Sequence, residues 1–158
     1  MSCLRKNRRT TTTTVRNYNQ NNFIPSSAEV IYPLTQTVAV GDEVLFSQTN
    51  YNTGVSFSPR TDNYGIDIVA NGVYQITFTG NIVAGQNGNI QLAISLDGTA
   101  LPQSEITQYV TTEGIQNVIS TIIFKVTSPT ADIGVINTGN LSFDLTNAKL
   151  DIVRNGNF

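Results

Sequence analysis

The chain has 158 residues, 39% of them apolar and only 13% charged, about half the charged share of an ordinary soluble domain. It contains no His and no Trp, and its single Cys is Cys3. The commonest general base and metal ligand are therefore missing, and no internal disulfide can form. No window approaches the roughly 18 apolar residues of a membrane span.

Charge is divided unevenly along the chain. Arg5, Lys6, Arg8, Arg9 and Arg16 give the first 16 residues +5, and the remaining residues carry −7. Residues 1–27 read as a flexible basic arm or connector. They hold this cluster, a β-branched run from Thr10 to Thr14, and an Asn/Gln-rich stretch from Asn17 to Asn22. So few apolar residues bury too little to offset the entropy of ordering, while the Thr run favours extended backbone. No apolar h-region follows the basic residues, so a standard signal peptide is not expected.

Residues 28–158 read as one β domain. Short runs alternate at period 2 between turn residues, with strands expected at 28–33, 36–47, 53–58, 65–69, 73–83, 90–96, 105–112, 115–126, 131–137 and 141–154. The last should break near Thr146-Asn147. Along 73–83, Tyr74, Ile76, Phe78 and Ile82 share one face and Gln75, Thr77, Thr79 and Asn81 the other. Asp97-Gly98 is a strong tight-turn signal after 90–96. About ten short strands with no amphipathic helix and no repeat imply a sandwich or barrel.

The run 118–126 departs from simple alternation. Val118, Ile122, Phe124 and Val126 are apolar on one face, and Ile119 and Ile123 on the other. An antiparallel strand at a monomer's surface should be polar on one side. Either a loop covers the second face or that face meets another subunit.

Ala70-Asn71-Gly72-Val73-Tyr74-Gln75-Ile76-Thr77-Phe78 resembles the Gly-x-Tyr-x-Ile-x-Phe strand of the tumour-necrosis-factor and complement-head superfamily. The sequence is most similar to its bacterial branch, typified by the C-terminal domain of the exosporium glycoprotein BclA. Val38–Phe46 looks like that branch's first hairpin, Asn52–Phe57 its next strand, Ala93–Pro102 its inner strand and turn, and Ala148–Arg154 its closing strand. The likeness covers roughly residues 30–155. It departs in having no Gly-X-Y collagen-like stalk; the short basic arm stands in its place, as in a spore-appendage subunit with an N-terminal connector.

The resemblance implies a ten-stranded jelly-roll sandwich and a homotrimer, and no catalytic residue. The trimer interface expected on this reading is Val118, Ile119, Thr121 and Ile123 together with Tyr74. The arm residues expected to dock on a neighbour are Arg5, Lys6, Arg8, Arg9, Thr12, Val15, Phe23 and Ile24. Cys3 is either incidental or an intermolecular disulfide. The carboxylates Asp62/Asp67 or Asp144/Asp151 could be weighed for catalysis or calcium, and they read as solvated loop and strand acids. Expected partners are other copies of the chain and other spore-coat or exosporium proteins, with no cofactor, metal, nucleic acid or membrane. The leading expectation is a non-enzymatic structural subunit of a spore-surface fibre or exosporium layer, made in the cytoplasm. The alternative is a trimeric head that recognises a carbohydrate or protein.

Overall fold

A computed structural model describes residues 23–83, 85–112, 114–128 and 130–157. Eleven strands occur among them: β1 (Ser26–Val38), β2 (Gln48–Thr53), β3 (Phe57–Pro59), β4 (Ile66–Ile68), β5 (Gly72–Val83), β6 (Gly88–Leu96), β7 (Thr99–Ala100), β8 (Ile106–Val110), β9 (Ile115–Val126), β10 (Ala131–Asn137) and β11 (Phe143–Gly156). One sheet has the order β2-β1-β11-β5-β9. The other has the order β3-β4-β10-β6-β7, with β8 also pairing β6. All pairings are antiparallel.

The alternation in the sequence builds this sandwich directly. Side chains of successive strand residues point to opposite faces. In β5 the residues Tyr74, Ile76, Phe78 and Ile82 turn inward, as do Leu145, Leu150 and Ile152 of β11. They meet Ile66, Ile68, Ile90, Leu92, Ile94, Ile133 and Val135 from the second sheet, all within one core. Fully burying such a side chain is worth about 1.5–3 kcal/mol. The edge-to-face ring pairs Phe57–Tyr74, at 5.7 Å, and Phe46–Phe78, at 6.5 Å, cross the core. Asp97 and Gly98 both take positive φ, 51° and 72°, so the turn between β6 and β7 is of the kind that suits a right-twisted hairpin.

Four expectations need correction. The first strand starts at Ser26 and not at residue 28, since Ser26 and Ser27 already pair with Arg154 and Val153 of β11. The expected breaks at 33–36 and at 146–147 are bulges within continuous strands, between Tyr32 and Thr35 and between Thr146 and Lys149. The expected strand 36–47 exists only as far as Val38. Residues 39–47 cross to the other sheet, making one bridge, Glu43 to Ile136, while Val44 and Phe46 plug the core. The expected strand 53–58 divides at the Gly54 corner, where φ is +81° and a Cβ would lie 2.2 Å from Ser26 Oγ.

Candidate functional site

The outward face of the first sheet changes character from edge to edge. Its outward residues on β9 are Ile115, Asn117, Ile119, Thr121, Ile123 and Lys125. The isoleucines stand 66%, 67% and 62% exposed. Next to them β5 presents only uncharged polar groups at the centre of the sheet. Ile123 is opposite Gln75, Thr121 opposite Thr77, and Ile119 opposite Thr79. The hydroxyls of Thr77 and Thr121 lie 3.1 Å apart. A face of this make-up loses little solvation when covered, because it has no carboxylate and only Lys125 at its end. Inward, Val118 and Val126 are buried and Phe124 packs on Tyr74 with ring centroids 6.4 Å apart. The two-faced reading of this strand thus matches its geometry: no loop of the described residues covers the isoleucines.

Two residues expected at an interface lie elsewhere. Tyr74 is completely buried in its own chain, and its hydroxyl donates to the Ala70 carbonyl. Val118 is 4% exposed and faces the core. Both belong to the sandwich interior because their strand positions have inward parity, which the Gly-x-Tyr resemblance did not resolve. Ile119, Thr121 and Ile123 face outward as expected. Ile115 was missed as a member of the same row; its i, i+4, i+8 spacing with Ile119 and Ile123 was the signal.

Beyond β5 the same face becomes charged. Lys149 Nζ lies 2.6 Å from Glu29 and 3.2 Å from Asp151. Asn50 of β2 donates to Glu29, and Tyr51 Oη donates to Asp151 at 3.4 Å. Burial alone would raise the Glu29 carboxyl, but a proton held on neighbouring Asp151, the Lys149 ammonium and the Asn50 amide outweigh it and bring the pKa down to about 2. Asp151 moves up, through desolvation and the hydrogen bond it shares with Glu29. Glu29 lies on the outer face, and its near-complete burial comes from β2, a strand whose pairing no local pattern announced.

Acids also gather on the second sheet. Arg60 holds Glu43 at 3.2 Å, Asp62 at 2.7 Å and Asp132 at 3.9 Å, and Asp67 stands directly opposite Asp132. Desolvation raises the Asp67 pKa, and the neighbouring carboxylates add to it. Three of the four acids weighed as pairs are separately engaged: Asp62 with Arg60 and the Tyr64 amide, Asp144 with Thr37 at 2.6 Å, Asp151 with Lys149. Among the described residues, no group of three or more His, Cys, Asp or Glu is placed to hold a metal ion. Among the described residues no helix is long and apolar enough to cross a membrane.

At one end of the sandwich Arg154 donates to the Asn71 carbonyl at 2.6 Å and to Asn157 Oδ1 at 2.7 Å. Its guanidinium sits 5.8 Å from the centre of the Phe23 ring. Phe23 is thus engaged by its own chain, where the sequence suggested an anchor for a neighbour; Ile24 beside it is 47% exposed. Cys3, Arg5, Lys6, Arg8, Arg9, Thr12 and Val15 lie outside the described residues.

Strand order, the antiparallel sandwich and the inward-facing aromatic strand together decide the fold. It is the jelly roll of the complement and tumour-necrosis-factor heads. The globular domain of zebrafish complement 1qA superposes with a TM-score of 0.67 at 11% identity, over 84% of this chain and 99% of that one. Murine APRIL gives 0.63 at 13% identity, over 83% and 99% of the two chains. Eiger TNF from S. frugiperda gives 0.62 at 10% identity, over 86% and 94%. No protein-family model matches the sequence, and no curated protein matches it.

Proposed function

We propose that this chain is a non-enzymatic, self-assembling structural subunit of a bacterial spore surface, built as a homotrimer through the outer face of β9. The observation that carries the self-association is the isoleucine row Ile115, Ile119 and Ile123, more than three-fifths exposed on a face otherwise made of neutral polar groups. Large exposed apolar patches of this kind mark association surfaces. The jelly-roll fold shared with complement and tumour-necrosis-factor heads supports a head domain of this type. The spore surface, as fibre or exosporium layer, rests on the sequence likeness to BclA-type heads. The fibre rests on the N-terminal segment: its +5 complements the −7 of the rest of the chain. Contact from one trimer to the next does not close on itself, and so gives a filament. Cys3, near the chain's start, is suited to crosslink such neighbours in an oxidising exterior.

Negative-stain electron microscopy of the purified full-length chain, beside a variant lacking residues 2–22, tests this reading. Filaments from the first and discrete particles from the second are expected. Discrete particles from both would favour the alternative, a trimeric binding head.

A further inference from the structure

We propose that β2 is the acceptor of the N-terminal segment, taking residues Thr10–Val15 of another copy as an added strand on its free edge. This rests on the assembly reading above and names the surface it needs. β2 is an end strand, bonded only to β1. All six of its residues are exposed, and no described main-chain group bonds to its open side. Proteins normally guard such an edge with Lys, Pro or a covering loop. Gln48-Thr49-Asn50-Tyr51-Asn52-Thr53 carries none of these guards. It is a neutral, hydrogen-bond-rich edge left open to pairing.

The donor fits that edge in length, chemistry and charge. Thr10–Val15 is a run of six β-branched residues, as long as β2 itself. Opposed Thr side chains form good cross-strand pairs. In an antiparallel pairing Val15 falls near Gln48 and Thr10 near Thr53. Arg8 and Arg9 then run past Thr53 to the corner at Gly54, which leads into β3. There β4 carries Asp67 outward, opposite Asp132 of β10.

Geometry favours a second copy over the chain's own segment. Phe23 lies against Arg154 of β11, the strand on the opposite side of β1 from β2. The Phe23 side chain is therefore turned toward β11 and away from the β2 edge of its own chain. A segment folding back onto that edge would also run parallel to β2, the less stable pairing. From Val15 to Phe23 an extended chain spans about 26 Å, enough to reach an adjoining particle.

Paired strands bring opposed Cα atoms to about 4.5–5.5 Å, within disulfide range. The test mixes two full-length chains, both Cys3→Ser: one carries Thr12→Cys, the other a single Cys in place of Tyr51, Tyr109 or Ile119. Tyr109 samples the edge strand β8 and Ile119 the β9 face. After mild oxidation, disulfide-linked dimers between different chains, resolved by mass spectrometry, should form at least tenfold more with position 51 than with 109 or 119. Equal or greater yield at 109 or 119 would overturn the proposal. So would a Thr12→Cys/Tyr51→Cys double variant that closes only within one chain. Light scattering on the same samples separates this result from the assembly reading: particles that assemble without the 51 crosslink discard β2 as acceptor and keep self-assembly, whereas chains that never assemble and never crosslink discard both.

Discussion

Replacing Ile119 and Ile123 together by Asp perturbs the proposed trimer where it is most exposed. These side chains are 67% and 62% exposed in the single chain. Complete burial of an isoleucine is worth about 1.5–3 kcal/mol, so covering the remaining two-thirds contributes about 1–2 kcal/mol each. The pair then supplies about 2–4 kcal/mol per subunit, or about 6–12 kcal/mol per trimer. At 1.4 kcal/mol per factor of ten, the variant's trimer should be weaker by at least about four orders of magnitude, before adding the cost of burying carboxylates. The subunit itself should survive, because an outward strand position costs at most about 1 kcal/mol in β propensity. Sedimentation velocity should show monomers, and circular dichroism an unchanged β spectrum. A control with Thr at both positions keeps the β-branched shape and should fall between the two. A double Asp variant that sediments as a trimer would refute the assignment of the interface to this face.

The remaining predictions concern the fold beneath that surface. Glu29 has a folded pKa of about 2 against an ordinary 4.5, so its stabilising contribution is complete above pH 4.5 and is lost as pH falls toward 2. Asp67 and Asp151 are raised, so the penalty for charging them is relieved as pH falls through their folded values. Urea midpoints should hold steady or rise slightly from pH 7 to 5 and drop only in the acid limb; a steep loss above pH 5 would contradict this, and Glu29→Gln should flatten the acid limb. Tyr74→Phe removes the donor to the Ala70 carbonyl and should cost about 1 kcal/mol in urea unfolding, while leaving the oligomeric state unchanged; dissociation would contradict its interior placement. Gly65→Ala should abolish soluble expression, because φ is +152° and the added Cβ would sit 1.8 Å from the Ile133 carbonyl oxygen.

Long strands with one polar and one apolar face were legible in the sequence. The expected spans 115–126 and 131–137 coincide with β9 and β10, and 73–83 falls one residue short of β5. There the period-2 pattern and the burial pattern are the same thing. Residues 39–47 defeated that logic. Val44 and Phe46 alternate like strand residues and are buried like them, yet they plug the core from a crossover between sheets. Alternation records which side chains are inside; it does not record whether the backbone between them has a ladder partner. The same blindness hid β2, whose Gln-Thr-Asn-Tyr-Asn-Thr sequence has no buried side at all and is a strand only because β1 pairs with it. At the surface site, Ile119 and Ile123 could be found because they broke a local rule. Tyr74 was misplaced because a family motif was read in place of its parity. The Glu29–Lys149–Asp151 group joins residues 120 and more positions apart, and only the β1–β11 register brings them together.

The central claim is that three copies of this jelly roll associate, and native mass spectrometry of the full-length chain at micromolar concentration tests it most directly. With a chain mass of 17.1 kDa, the account predicts a base species of three chains and larger species in multiples of three. A single-chain species with no trimer, or a ladder that grows one chain or two chains at a time, would contradict it.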